Sequence, residues 1–201
     1  GEPGIGKTRT LQELAAVAEE RGARVIWGVS YEEEGTPPFW PWVQALRSYV
    51  REVDAEILGS QMGPGAADIA ELVSDVRVKL PHLEPPPAPD DPRQARFRLF
   101  DSIASFLKSA SESQPLVVAL EDLHWSDKPS LVLLEFIARE VARSRLLVVG
   151  TYREVEVSRQ HPLSQTLAEL MRTPRFRQMV LKGLDTEEVA SLTQNTTGTE
   201  P

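Results

Sequence analysis

Gly1-Glu2-Pro3-Gly4-Ile5-Gly6-Lys7-Thr8 is the stretch on which the fold of this chain turns. It fits G-x-x-x-x-G-K-[ST] at every specified position, and each residue type serves one task. The glycines let backbone N–H groups turn toward an anion with no side chain in the way. Strong helix formers follow from Lys7 to Glu20, with Leu11, Leu14, Ala15 and Ala18 at helical spacing, until Arg21-Gly22 ends the run. A helix beginning at Lys7 adds its positive end to the glycine-rich loop. In this pattern Lys7 reaches the β- and γ-phosphates of a nucleotide and the Thr8 hydroxyl takes a magnesium ion. Gly1, Gly4, Ile5, Gly6 and Arg9 complete the expected phosphate-binding segment. The other reading is a glycine turn that merely opens a helix; chance alone gives such a match about once in 500 sequences of this length.

Outward from the loop, strands and helices alternate. Residues 23–29 read as a short buried strand, followed by the acidic turn Glu32-Glu33-Glu34-Gly35. Helical patterns cover residues 37–54, 66–80 and 93–111, the last two separated by a proline-rich surface loop at 81–92. The run Leu116-Val117-Val118-Ala119-Leu120 fits a strand buried on both faces of a parallel sheet. A helix at 129–142, a second buried strand at 146–151 and a helix at 163–172 come next. A strand at 176–181 and a last helix at 186–193 complete the expectation. This order predicts a single α/β domain over residues 1–201 with a doubly wound parallel sheet, and no internal repeat is visible.

A phosphate-binding loop of this kind needs a carboxylate near its magnesium and a group to orient an attacking water. Glu121-Asp122, closing the apolar strand, is the one place that offers both, at the strand end where parallel α/β sheets bind ligands. Arg153, with Thr151, closes the next buried strand and is a candidate for the γ-phosphate, where a cation stabilises charge during transfer. The site predicted from sequence is therefore Glu121, Asp122 and Arg153 for catalysis, with Thr8, Glu121 and Asp122 around the metal.

Composition narrows the partners. A net charge of −8 argues against this segment gripping a nucleic-acid backbone. The chain has no cysteine, which excludes disulfides and thiolate metal sites, and His82, His124 and His161 have no metal-ligand spacing. No apolar run approaches the ~18 residues of a membrane span, and a cytoplasmic location is the default expectation.

Several segments together resemble a known family. The loop Gly1 to Thr8 is followed by Tyr31-Glu32-Glu33-Glu34-Gly35, Pro38-Phe39-Trp40-Pro41-Trp42 and Arg96-Phe97-Arg98-Leu99-Phe100. After these come Leu120-Glu121-Asp122-Leu123-His124-Trp125-Ser126-Asp127 and Gly150-Thr151-Tyr152-Arg153. In this order they resemble the AAA-type "16" ATPase domains, the origin-recognition-like AAA domains of STAND signalling ATPases. Such domains occur in large ATP-binding LuxR-type bacterial regulators and ahead of adenylate cyclase or kinase modules. The resemblance implies a P-loop NTPase fold, with Lys7 and Thr8 as Walker A residues, Glu121-Asp122 as the Walker B pair and Arg153 as a sensor-like arginine. Many relatives carry Asp where this chain has Glu121, and the longer arm leaves open which acid faces metal and which faces water. Phe39, Trp40 and Trp42 are expected in the core or as a lid over the nucleotide, Arg96 and Arg98 on a solvated helix face, and His124 orienting the loop after the acids.

The chain begins inside a motif that normally follows a strand, so a fragment is expected, without its first strand and its C-terminal helical lid. Losing that strand would leave neighbouring strands unpaired, and residues 1–201 alone are expected to be unstable or to aggregate. The implied function is an ATP/Mg-binding regulatory switch in a multidomain protein, with ATP and ADP as ligands, further domains of the same polypeptide as partners and nucleotide-dependent self-association as an option. A scaffold that binds nucleotide without hydrolysing it, a small-molecule phosphotransferase and a replication-origin ATPase are the alternatives. The phosphotransferase lacks an acceptor site and basic lid in the sequence, and the acidic charge gives the origin ATPase no support.

Overall fold

A computed structural model describes residues 4–33, 35–86, 88, 91–141, 143–184, 188, 191 and 194. Its centre is a parallel three-stranded sheet of β1 (Arg24–Val29), β2 (Leu116–Glu121) and β3 (Leu146–Gly150), in the order β1-β2-β3. Arg24 lies beside Leu116 and Val29 beside Glu121, while Leu116 pairs with Leu146 and Leu120 with Gly150. All three strands therefore end together at one edge of the sheet. β2, in the middle, is buried from Leu116 to Leu120, which is why its sequence is a continuous apolar run rather than an alternating one.

Helix α1 (Lys7–Glu20) packs on β1 and β2 through Leu11 and Ala15, the two buried positions of its apolar stripe. Between β1 and β2 the chain makes α2 (Trp40–Glu52), α3 (Ala55–Met62), α4 (Ala66–Leu72), α5 (Asp75–Lys79) and the long α6 (Pro92–Ser113). Helix α7 (Lys128–Glu140) joins β2 to β3, and α8 (Pro162–Leu170) packs against α7. One cluster of buried side chains runs from Ile26 on β1 through Trp42, Ile69, Ile103 and Val118 to Leu170 on α8.

Several sequence expectations are corrected. The strand expected to be buried at 146–151 is β3, which has no buried residue and leaves Leu147 48% exposed, because it lies at an edge of the sheet among the described residues. Residues 176–181 form no strand: the segment has no ladder partner among the described residues, Met179 is 81% exposed, and an apolar stretch becomes a strand only when a neighbour takes its backbone groups. The helix expected at 66–80 is two helices, broken where Val73 turns extended (φ −119°, ψ 91°), which lets Val73 and Val76 both enter the core. Helix α3 was not anticipated, although Asp54 caps it by accepting from the Glu56 N–H at 2.9 Å and Leu58 and Met62 lie four apart on its buried face. The helix expected from residue 37 starts at Trp40, because Phe39 adopts a left-handed conformation (φ 64°). Arg98 is not fully solvated; it pairs with Asp68 at 3.4 Å, whereas Arg96 is exposed. Of the helix expected at 186–193, only residues 188 and 191 are described, both helical, and the rest lies outside the described residues, as does Glu34 of the acidic turn.

The aromatic segment after the acidic turn is mainly core. Trp42 is 1% exposed and donates its indole N–H to the Ser130 carbonyl at 3.1 Å, tying α2 to α7. Asp127 accepts from the Ser130 N–H at 2.9 Å and the Phe39 N–H at 3.2 Å, so one carboxylate fixes the start of both helices. The close approach of α2 to the sheet has a sequence cause at Gly28. A Cβ there would stand 1.9 Å from the Pro41 carbonyl oxygen. Gly59 is different, since a Cβ would meet only Leu80 Cδ2 at 3.6 Å. Gly28→Ala is expected to destabilise the domain by about 3 kcal/mol, and Gly59→Ala to be neutral or stabilising by up to ~1 kcal/mol. Pulse proteolysis of the full chain across a urea series measures both.

Candidate nucleotide site

Helix α1 begins where the three strands end. Gly4 (φ 75°) and Gly6 (φ 95°) both take left-handed conformations, as a loop that turns its N–H groups inward requires. The first turn of α1 contains no acidic residue, so nothing there offsets the positive end of the helix dipole. Thr10 locks the turn by donating its hydroxyl to the Gly6 carbonyl at 3.0 Å. Lys7 is half-buried and Thr8 is exposed in the first turn. The Thr8 hydroxyl donates to Glu121 Oε2 at 2.8 Å, which joins the loop to the end of β2.

The end of β2 is held on both sides. The Ser30 N–H donates to the Glu121 carbonyl at 3.0 Å, and Ser30 Oγ meets Ser126 Oγ at 2.8 Å in a buried pair. Asp122 breaks the strand with a left-handed backbone (φ 54°, ψ 46°), an uncommon conformation for a residue with a side chain. Thr151, just past β3, supports that turn: its hydroxyl accepts from the Asp122 N–H at 3.1 Å and its carbonyl from the Leu123 N–H at 2.8 Å. The turn sends the two acids in different directions. Glu121 faces Thr8, while Asp122 Oδ1 lies 3.9 Å from His124 Nδ1.

His124 belongs to a single turn of 3₁₀ helix, Leu123–Trp125, and its side chain is fully buried. Nδ1 accepts the Arg153 backbone N–H at 3.4 Å, and Nε2 lies 3.3 Å from Glu156 Oε2. Arg153 in turn donates through Nη1 to Glu156 Oε1 at 2.8 Å and lies over the Trp125 ring, 4.9 Å from its centroid. Burial pushes the His124 imidazole below its ordinary pKa; Glu156 and Asp122 pull it up, and the cations of Arg153 and Lys7 push it down again. Lys7 and Arg153 therefore act on the same imidazole from the loop and from the end of β3.

The structure thus brings Lys7, Thr8, Glu121, Asp122 and Arg153 to one edge of the sheet. Ile5 is half-buried beside Gly183. Arg9 is not drawn in; it lies on the exposed side of α1, paired with Glu13 one turn on. Gly1 lies outside the described residues. The residue that sequence reading overlooked is Glu156, and the spacing of Arg153 and Glu156, three apart just past β3, was the available signal. A separate cavity of about 770 Å³, lined by Phe39, Pro85, Arg96, Leu99 and Val132 among others, contains none of the predicted site residues.

The oxygen donors fit magnesium. Thr8 Oγ1 and Glu121 Oε2 are hard ligands, and a magnesium ion carried by a nucleotide takes its remaining ligands from phosphates and water. Among the described residues no group of three or more His, Asp or Glu side chains could cage a metal by itself. No helix among them is long and apolar enough to cross a membrane.

In comparison with known proteins, the model of the AAA ATPase domain matches residues 1–149. The chain belongs to the AAA ATPase domain family. Membership of this family brings nucleotide binding, usually with magnesium. An "uncharacterized protein R02095" of Rhizobium meliloti (strain 1021) is 26% identical over 167 residues, an alignment that covers 76% of this chain. The chain spans 16% of that relative's length. No solved structure matches the chain.

The lowered pKa of His124 has a sign that can be measured. The folded domain holds the imidazole neutral at pH values where the unfolded chain, with an ordinary pKa near 6.5, already takes up a proton. Stability from this residue is therefore full above that pH and falls on acidification toward the folded-state value. Without nucleotide or magnesium, the parent domain is expected to lose stability between pH 7.5 and 5.5 faster than His124→Asn, as followed by urea unfolding at each pH.

Proposed function

We propose that this domain binds ATP with magnesium and acts as a regulatory nucleotide switch inside a larger signalling or transcription regulator, resetting itself by slow hydrolysis. The observation that supports this reading most is the 2.8 Å hydrogen bond from the Thr8 hydroxyl, just past the glycine-rich loop, to Glu121 at the end of β2. In this reading the loop backbone and Lys7 hold the β- and γ-phosphates, and Thr8 and Glu121 hold the magnesium ion. The metal, when bound, neutralises charge on the phosphate oxygens. Asp122, turned away from Thr8, accepts a hydrogen bond from the water that attacks the γ-phosphorus and takes its proton. Arg153 meets the γ-phosphate and so distinguishes ATP from ADP.

The wider role rests on the family and on the extent of the match. The relative is far longer than the matched domain, which supports a module coupled to other parts of one polypeptide. The net charge of −8 supports signalling through those parts rather than through direct contact with nucleic acid. STAND-type signalling, the LuxR-like context, a cytoplasmic setting and nucleotide-dependent self-association belong to the same proposal.

Calorimetry on the full chain tests the binding step: Lys7→Ala is expected to weaken ATP·Mg by about tenfold or more, and equal affinity in parent and variant would end the reading. Magnesium-dependent phosphate release tests turnover. Asp122→Asn is expected to lower it ~100-fold while ATP still binds; a parent that binds ATP·Mg but releases no phosphate is a nucleotide-holding scaffold instead.

A further inference from the structure

Glu156 sits between two groups that can each use its carboxylate. One oxygen accepts from Arg153 Nη1 at 2.8 Å. The other lies 3.3 Å from His124 Nε2, a fully buried nitrogen with no hydrogen bond among the described residues. Because His124 Nδ1 accepts the Arg153 backbone N–H, a neutral ring carries its proton on Nε2, facing Glu156. A buried N–H without an acceptor is costly, and a small rotation of the Glu156 carboxylate would satisfy it. The Trp125 ring under the guanidinium restrains Arg153 where it is.

We propose that Glu156 is a positioning residue that holds Arg153 back from the phosphate site, and that on arrival of a γ-phosphate Arg153 exchanges Glu156 for the phosphate while Glu156 passes to His124 Nε2–H. The proposal rests on the reading in which Arg153 meets the γ-phosphate. No covalent bond changes in this exchange: one charge-assisted hydrogen bond, Arg153 to Glu156, is traded for two, Arg153 to phosphate and His124 to Glu156. The second bond lowers the cost of opening the first, because the displaced carboxylate is not left unpaired beside a buried donor. ADP lacks the group that draws Arg153 away, so the ion pair with Glu156 persists and the exchange responds to the triphosphate alone. Glu156 touches neither nucleotide nor metal in this scheme and acts through Arg153.

The test is the affinity of the full chain for ATP·Mg and for ADP·Mg, by calorimetry, in the parent, Glu156→Gln, Arg153→Ala, the double variant and His124→Asn. Glu156→Gln is expected to raise the preference for ATP over ADP roughly fivefold, leave ADP affinity unchanged, and lose its effect entirely in the Arg153→Ala background. His124→Asn keeps an acceptor near the Nδ1 position and removes Nε2–H, so it is expected to lower the ATP preference, opposite in sign to Glu156→Gln. A purely structural role for Glu156 would weaken both nucleotides together. If Arg153→Ala reduces the ATP preference but Glu156→Gln leaves it unchanged or lowers it, the exchange is wrong and the function proposed for Arg153 stands. If Arg153→Ala leaves the preference unaltered, the γ-phosphate reading of Arg153 fails, and the exchange fails with it. Should His124→Asn not fold, the Glu156 and Arg153 variants decide alone.

Discussion

The Thr8 to Glu121 hydrogen bond joins residues 113 positions apart, and the rest of the site depends on the constraint that makes it possible. A helix must begin where a parallel strand ends. Parallel pairing of β1, β2 and β3 in register sends all three strand ends to one edge, and α1 packs on β1 and β2 with its first turn at that edge. The positive end of the helix then lies beside the carboxylate of Glu121, which accepts the Thr8 hydroxyl. Neither half has this chemistry alone. In the proposed reading, the loop without the acids would bind an anion with nothing to hold a metal, and the acids without the loop would be a solvated strand end.

Much of the structure exists to fix the end of β2. Ser30 on one side and Thr151 on the other accept or donate to Glu121, Asp122 and Leu123, and Asp122 takes a left-handed backbone between them. At that turn the carboxylate of Asp122 comes to 3.9 Å from His124 Nδ1, while Glu121 stays with Thr8. A strained residue held by its neighbours is preorganised, as the water-orienting role proposed for Asp122 requires. The same neighbours bring Arg153 alongside, since its backbone N–H is the one that His124 accepts.

The sequence made some of this legible and concealed the rest for physical reasons. The loop, α1 and the buried run of β2 were readable because each is local: glycine spacing, helical periodicity and a continuous apolar stretch depend on few distant contacts. The strand end at Glu121 was readable because it closes that stretch directly. Which acid lies beside Thr8 was not readable, since it turns on the backbone conformation of Asp122 and on the distant hydroxyl of Thr8. Arg9 looked like part of the loop by adjacency, yet helical geometry carries it to the exposed side of α1, where Glu13 takes it. Residues 176–181 had the composition of a strand, but composition cannot supply a partner. Glu156 escaped notice because the residues that single it out, His124 beside its carboxylate and Trp125 beneath its partner Arg153, lie on a distant segment that only the folded chain brings near.

The account stands or falls on whether Thr8 and Glu121 serve one cation. The direct measurement is a double-mutant cycle, Thr8→Val and Glu121→Gln, on the magnesium-dependent part of ATP affinity in the full chain. Two groups on a shared ion act as a unit, so the double variant should bind no more weakly than the worse single variant, with a coupling of ~1 kcal/mol or more. Losses that simply add would mean that the two residues act independently, and the joint metal site described for this edge of the sheet would be wrong.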